Sequence, residues 1–592
     1  RETMNGYIQQ GHARKLSDAE LQIEHDREWY LPHHAVTSPS KPDKVRVVFD
    51  AAAVSRGTSL NDNLLTGPDN LNSLVGIIMR FRQRPVPIAA DVKMMFHQIQ
   101  VRPEDQPSLR FLWRDMDLTR PPTTYQMQVL VFGAKSSPCS ATHVLRRCAA
   151  DGEVKHPEAA AAVRSRFYVD DYLDSLETVE EADSMRTSLT ALLKDGGFRL
   201  TKWSSSSKDV LRQIPVEDVS ETSRDLDLDE SDWSKALGVF WDVGADEFRF
   251  KSADVGSPYT KRAILSRASA VFDPLGMLAP FTMRAKHILQ RIWSTGYGWD
   301  EQITDEDLMN SWKDWLSELE ALETFKLRRC YRPAAKQVVS CQLHIFCDAS
   351  EVAYGACAYF LIRTKDGSRS CSFVFAKIRV APLRQLSIPR LELQAAVMGV
   401  RMAETIKREH DMSIDSTVFW SDSTTVLQWL KNESRRYHTF VANRVAEIQD
   451  TTEADQWRHV PGSLNPADIC SRGCHVTELS QNTWLTGPGF LLQSPDSWPA
   501  DTTHIGSNDS AGEVKMDNEL VTCVATDDTD ELVCLEKQST WLRALRVTAW
   551  VRRFGDNCRR NVNERRLGPL TAAELQSAEH VLVKRAQTDE FG

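Results

Sequence analysis

The 592-residue sequence has no apolar run near the roughly 20 residues that a membrane-spanning helix needs, and its amino terminus shows no signal-peptide pattern. Neither a membrane span nor secretion is therefore expected. None of the 12 cysteines precedes Cys139, their spacings are irregular and no Cys-x-x-Cys pair occurs. That excludes a small disulfide framework and favours reduced thiols in an intracellular protein. Cys470, Cys474 and His475 are close enough to raise a zinc site, but no second ligand pair stands near them. Excess positive charge is lacking too: the net charge of −10 argues weakly against a nucleic-acid binder. The chain is long enough for about four domains, so a local basic groove can outweigh that total. With 41% hydrophobic and 26% charged residues the composition is that of globular protein. The start at Arg1 rather than Met suggests a piece of something longer.

Against that background one stretch stands out, Phe167-Tyr168-Val169-Asp170-Asp171-Tyr172-Leu173-Asp174-Ser175. Its aromatic and β-branched residues predict a hairpin with Asp170-Asp171 at the tight turn. Two adjacent anions repel and lose hydration, so a fold encloses them only beside a neutralising cation, for which Mg²⁺ is the natural choice. Upstream, Lys41 to Asp50 reads as a strand presenting Lys44 and Arg46 on one face. Val86 to Ala90 is an apolar strand ending at Asp91, with Phe96 five residues on. Val131 to Pro138 opens a helix through His143 and Leu145, and Gly133 lets the backbone approach a ligand closely. Lys202 lies in Gly197 to Trp203, and Leu237-Gly238 begins the segment ending at Trp241. Singly, these read equally as a solvated turn, a solvated strand face and a helix cap.

A second acidic set follows. Leu343 to Ser350 is a strand ending at Asp348; Tyr354 to Ile362 and Cys371 to Val380 are two more. The helix opened by Pro389 carries Glu392 and an apolar stripe of Leu393, Val397 and Val400. Val418 to Ser421 leads to Asp422, and Asp468 lies in Asn465-Pro466-Ala467-Asp468. Residues 242–335 read as amphipathic helices bearing Trp293, Trp299, Trp312 and Trp315, and Leu570 to Lys584 as a helix capped by Thr571. Residues 500–535 are acidic and polar, with a disordered composition.

Tyr168-Val169-Asp170-Asp171 on a hairpin resembles the catalytic turn of reverse transcriptases, and the segments from Lys41 to Trp241 follow that family's order. Their wording, together with Thr260-Lys261-Arg262 and Phe272-Asp273-Pro274-Leu275-Gly276, is most similar to Bel/Pao-type long-terminal-repeat retrotransposon polyproteins. The resemblance implies a multidomain α/β and α+β fold, a right-hand polymerase of palm, fingers and thumb followed by an RNase H-like α/β domain. Its boundaries would be a lead-in at 1–40, fingers and palm at 41–241, a helical thumb and connection at 242–335 and the ribonuclease H domain at 336–480. A linker with a helical lead-in to a truncated integrase zinc-binding domain would fill 481–592.

The same resemblance implies Asp91, Asp170 and Asp171 as ligands of two Mg²⁺ ions, with Mn²⁺ as the substitute, and Lys202 beside the leaving pyrophosphate. Lys44, Arg46 and Phe96 would hold the incoming nucleotide; Gly133, Pro138, Leu237 and Gly238 would contact template and primer. Asp348, Glu392, Asp422 and Asp468 match the ribonuclease H set, again for two Mg²⁺. Implied partners are an RNA template, a DNA primer, RNA–DNA hybrid, deoxynucleoside triphosphates and the protease and integrase parts of the polyprotein. The implied setting is a cytoplasmic virus-like particle with nuclear entry. Two positions depart from retroviral patterns: Phe132 stands where Gln is frequent, and Ser463 where the ribonuclease H loop carries histidine, His459 lying earlier on a strand. A basic track through Lys261, Arg262, Arg267, Arg284 and Lys286 is expected to offset the net negative charge. The alternative is a decayed or domesticated copy that binds nucleic acid or protein without catalysis.

Overall fold

The computed structural model describes residues 1–38, 41–220, 234–251, 258–332, 337–481, 483–500, 513–514, 538, 540–561 and 564–591. Apart from 500, 513 and 514, the acidic segment 500–535 lies outside the described residues. The chain divides into two compact units, Arg1–Lys515 and Met516–Gly592.

The first acidic set sits on a four-stranded antiparallel sheet in the order Phe167–Tyr168, Asp171–Leu176, Val86–Val92, Leu200–Ser204. Side chains alternate across such a sheet, so Ile88, Ala90, Val92, Tyr172 and Leu176 share one core with helices Ser137–Gly152, Pro157–Arg166 and Val179–Asp195. On the opposite face Leu173 joins the core that holds helix Leu74–Phe81. Ahead of this sheet, hairpin His33–Ser38/Lys41–Phe49 and a small sheet of Ala13–Lys15, Thr123–Met127 and Arg110–Trp113 enclose Phe49, Phe111 and Met127.

The second acidic set sits on a five-stranded sheet in the order Arg369–Val380, Ala353–Thr364, Val338–Ala349, Ser416–Ser421, Trp457–His459. The first three strands are antiparallel and the last two pairings parallel. Their near-continuous apolar runs reflect burial on both faces. Gly399 of helix Ile388–Glu409 lies against Ile345 and Cys347, whereas Gly355 lies against Cys470 of helix Ala467–Arg472. Gly399 also touches Ala356, and Ala356 and Gly355 point to opposite faces, so the two helices cover opposite sides.

Between these sheets, helices occur at Lys261–Ala270, Ala279–Ser294 and Glu306–Ser317, but the region is not helical throughout. Glu247–Arg249 and Lys326–Arg328 are strands that extend the Ser234–Ala236/Val239–Asp242 hairpin into a four-stranded sheet. Three-residue strands are too short to show a period, and this pairing joins segments nearly eighty residues apart. Trp312 and Trp315 stack in the core, while Trp293 and Trp299 are 42% and 48% exposed. Helix Ala279–Ser294 packs on strand Arg369–Val380, and the turn before it binds the same strand, since Ala376 N donates to the Leu275 carbonyl at 2.9 Å. Gly276 there has φ +71°, and a Cβ would stand 2.2 Å from the Ala376 carbonyl oxygen. Gly276→Ala should therefore cost at least about 1–3 kcal/mol, read as a lower urea midpoint of unfolding.

The segment after residue 480, where the sequence pattern loosens, is packed. Trp484 is fully buried, its indole donating to the Met277 carbonyl at 2.7 Å while its own carbonyl accepts from the Tyr359 hydroxyl at 2.7 Å. In the second unit helices Trp541–Cys558 and Ala572–Phe591 pack on each other, and Thr571 with Glu574 forms a reciprocal cap. No helix among the described residues is long and apolar enough to cross a membrane.

Candidate active sites

Tyr168 pairs with Asp171, so the two-residue turn of the acidic hairpin is Val169-Asp170 rather than the expected Asp170-Asp171. The neighbouring strand decides this frame: Asp91 pairs with Asp171, and Val92 N donates to the Asp170 carbonyl at 2.9 Å. Val169 consequently takes φ +55°, a strained conformation for a β-branched residue. Asp91 and Asp171 stand opposite one another across adjacent strands, with Asp170 at the tip.

Burial, then the Asp170 and Asp91 charges, push the Asp171 carboxyl up to about 7. Burial and then Asp91 raise Asp170, against the opposing charges of Lys202 and Arg46. Lys202, itself at φ +55°, ion-pairs with Asp91. Arg46 lies on the Lys41–Phe49 strand as expected; the side chain of Lys44 on that strand lies outside the described residues. Asp174, further along the hairpin, is not part of the cluster: it is buried and bound to Arg166 at 3.0 Å.

Phe96 occupies a 3₁₀ turn, Met95–Gln98, with its ring 4.7 Å from that of Phe132, which is 44% exposed. Gly133 has φ +102°, and a Cβ would lie 2.2 Å from the Phe49 carbonyl, so the residue is required by the contact of two backbone segments. Pro138 lies in the first turn of helix Ser137–Gly152. Leu237 and Gly238, at φ +53° and +88°, form the two-residue turn between Ser234–Ala236 and Val239–Asp242, and Gly238 leaves room for the Phe272 ring.

In the second set, Cys347 pairs with Ser421 in parallel, so Asp348 on its strand and Asp422 just past the neighbouring one stand side by side at the same sheet end. Burial, then Asp422 and, more weakly, Asp468 and Glu392, push Asp348 up to about 7. Asp348 thus feels all three of the other acids. Ser471 donates to Asp348, and Arg472 holds Asp468 at 2.6 Å. Burial raises Glu392, and Asp422 adds to it against a Ser423 hydrogen bond. Asp422 is raised chiefly by burial, and its Oδ1 is buried without a hydrogen-bond partner. His459 lies on strand Trp457–His459, near enough for its charge to act on Asp422; Ser463 is in the 3₁₀ turn Gly462–Leu464. A Cβ on Gly462 would stand 3.2 Å from Asp422 Oδ2.

Among the described residues no three His, Cys, Asp or Glu side chains form a ready-made metal site. Lys202, Ser471 and Arg472 engage oxygens of Asp91, Asp348 and Asp468 instead. The donor chemistry nonetheless fits a hard divalent cation: oxygen donors only, carboxyls that resist ionisation beside each other, and one orphaned buried oxygen. The cysteine–histidine group does not converge. Cys470 is buried beneath the sheet, while His475 faces Glu318 at 2.8 Å and Arg284 at 3.2 Å. Three residues of the expected basic track have partners within the chain: Lys261 is buried on the Tyr297 carbonyl, Arg284 pairs with Glu318, and Arg262 pairs with Asp300 at the surface. Ser471 was missed in the sequence, although its place three residues after Asp468 on a helix puts the two on one face.

Residues 260–423 match the family model of the Pao retrotransposon-like RNaseH-like domain. No curated protein sequence matches the chain. Solved foamy viral structures are similar at low identity. They include the protease-reverse transcriptase dRH with ds DNA (TM-score 0.49, 14% identity, 77% of this chain and 67% of that one). The protease-reverse transcriptase with RNA/DNA hybrid gives a TM-score of 0.47 at 14% identity, over 77% of this chain and 52% of that one. The dsDNA complex gives 0.45 at 15% identity, over 77% and 81%. The family match takes in Asp348 and Glu392 and ends one residue past Asp422, so residues 260–423 carry a Pao retrotransposon-like RNaseH-like domain.

Proposed function

We propose that the chain is an RNA-directed DNA polymerase with ribonuclease H activity, its amino-terminal part arranged as palm, fingers and thumb. The observation that carries the reading is a pair of separate carboxylate clusters, each at strand ends and each holding a carboxyl pushed up to about 7. Structural carboxylates avoid such mutual repulsion; sites built to bind cations need it. Asp91, Asp170 and Asp171 would hold two Mg²⁺, or Mn²⁺, in the polymerase site, and Asp348, Glu392, Asp422 and Asp468 two in the nuclease site. Bound there, the ions would activate the primer 3′-hydroxyl or a water and stabilise the leaving group.

The chain's own residues would do the rest. Lys202 neutralises Asp91 in the free protein and, with Asp91 holding a cation, would be available to the pyrophosphate. Arg46, whose charge reaches Asp170, would bind the triphosphate, with Lys44 beside it on the strand. Nucleic acid is the partner class, as hybrid and as template with primer. One tube containing primer, RNA template and labelled hybrid tests the reading. Both extension and cutting should appear with Mg²⁺ and vanish with chelator, whereas salt-dependent binding without either would mark a non-catalytic copy.

Phe96 is assigned to the floor beneath the nucleotide sugar, held by Phe132. A ring there excludes a 2′-hydroxyl, so Phe96→Val should raise ribonucleotide relative to deoxynucleotide incorporation by about tenfold or more. A flat ratio would make Phe96 a core residue only.

A further inference from the structure

Helix Leu74–Phe81 lies between the two sites: it packs on strand Asp171–Leu176 on one side and on helix Ile388–Glu409 on the other. A buried ion pair stands at each contact, Arg80–Glu409 and Arg166–Asp174. Arg80, 9% exposed, donates to the Glu409 carboxylate at 2.8 Å and carbonyl at 3.0 Å, and to the Ser165 carbonyl at 2.8 Å. Arg166 binds Asp174 of the acidic hairpin and, with its other arm, Asp411 just beyond the helix that carries Glu392. Ser175 donates to the Arg80 carbonyl at 2.9 Å, and Gln83 accepts from Asp411 N at 3.2 Å. Arg408 completes the balance on Glu409 at 3.1 Å, giving three cations for the three carboxylates.

The contact leaves no slack. Glu409 Oε2 stands 1.9 Å from where a Cβ on Gly76 would be, so only glycine allows the carboxylate this close to the helix. Nor are the pairs placed at random. Asp174 is three residues along the strand that Asp171 begins, and Glu409 is the last residue of the helix whose second turn bears Glu392, about 25 Å away at helical rise. The Arg80–Glu409 and Arg166–Asp174 pairs are buried, and buried pairs resist sliding because a shift leaves an ion unpaired away from water; Asp411 and Arg408 close the set at the exposed rim.

We propose that Arg80, Glu409, Arg166 and Asp411 are positioning residues that lock the Asp171 strand and the Glu392 helix into one rigid body, so that RNA is cut at one set spacing behind the primer end. The spacing rests on the polymerase and ribonuclease H reading; the lock itself does not. Neither proposed active site uses these four side chains.

The test maps cut positions on 5′-labelled RNA annealed to a recessed primer, using the full chain and two variants. Glu409→Gln removes the charge, and Gly76→Ala keeps every charge while displacing the carboxylate. The native chain should cut at one dominant spacing. Both variants should spread the cuts over several positions, while extension and total cutting of blunt hybrid stay within about twofold of native. A loss of folding alone would lower both rates together without spreading the cuts. Unchanged spacing in a folded variant overturns the proposal. If the chain neither extends nor cuts, the functional reading fails and the lock is read separately, from the distance between spin labels at the exposed positions Val154 and Leu383. That distribution should be narrow in the native chain and broader in both variants; equal widths would refute the lock.

Discussion

Asp170→Asn should lower primer extension by about three orders of magnitude or more while leaving hybrid cutting within about twofold of native. The asymmetry follows from where Asp170 sits. It caps the turn beside Asp171 and Asp91 on the first sheet, and the acids that act on Asp348 all belong to the second. Asparagine preserves the side-chain shape, and the Val92 N–H bonds the Asp170 carbonyl rather than its carboxylate, so the backbone of the turn survives the change. What disappears is one of the negative charges that now hold Asp171 from ionising. The same substitution should lower the Asp171 pKa, because a repelling neighbour is gone. Carbon-detected NMR of the aspartate carboxyls reads that shift without any substrate, and extension at native rate would remove Asp170 from the reaction.

The sequence and the structure part company where a distant strand sets the frame. The strands around Asp348 and Asp422 are legible because their apolar runs are long and end abruptly at an acid; the helix around Glu392 is legible from its stripe and from Pro389 in its first turn. The acidic hairpin is legible as a hairpin, but not its turn. Both Val169-Asp170 and Asp170-Asp171 satisfy the local pattern, and the choice is made by Asp91 pairing with Asp171 from eighty residues away. A β-branched residue at φ +55° is what no turn rule would select, and that strain sits beside the cluster.

Long-range polar contacts are invisible for a related reason. Arg80 and Glu409 are 329 positions apart, and each reads as an ordinary charged residue of a solvated helix face. The basic track is thinned on the same ground: Lys261, Arg262 and Arg284 are cations in sequence, but Tyr297, Asp300 and Glu318 engage them. Helix Trp541–Cys558 escaped notice because its large apolar residues do not form one buried stripe; Trp541, Leu542, Trp550 and Phe554 are all exposed. Trp484 is the opposite case, a fully buried residue in a stretch with no period at all, held by single hydrogen bonds to Met277 and Tyr359.

Asp422→Asn should abolish cutting, by about three orders of magnitude or more, with extension retained, and it should also make the metal-free chain more stable. The second effect comes from the cost of the native cluster. A group whose folded pKa lies above its unfolded value keeps its proton longer in the native state, so the native chain binds more protons across the interval and stability falls as pH rises through it. For Asp348 the interval runs from 3.8 to about 7, and the strongest of the charges that raise it is that of Asp422. Asp422 carries the further penalty of an Oδ1 buried with no hydrogen-bond partner. Asparagine removes the charge, and its neutral amide relieves Asp348 as well. The gain over native should therefore be largest near pH 8 in chelator, shrink towards pH 4 where the native carboxyls are protonated, and shrink again when Mg²⁺ is added at pH 8. Thermal unfolding of the two chains at pH 4 and 8, with and without Mg²⁺, measures all three differences. A variant that loses cutting but is no more stable than native at pH 8 would show that the cluster carries no stored repulsion, and the argument for a cation at Asp348 and Asp422 would fall with it.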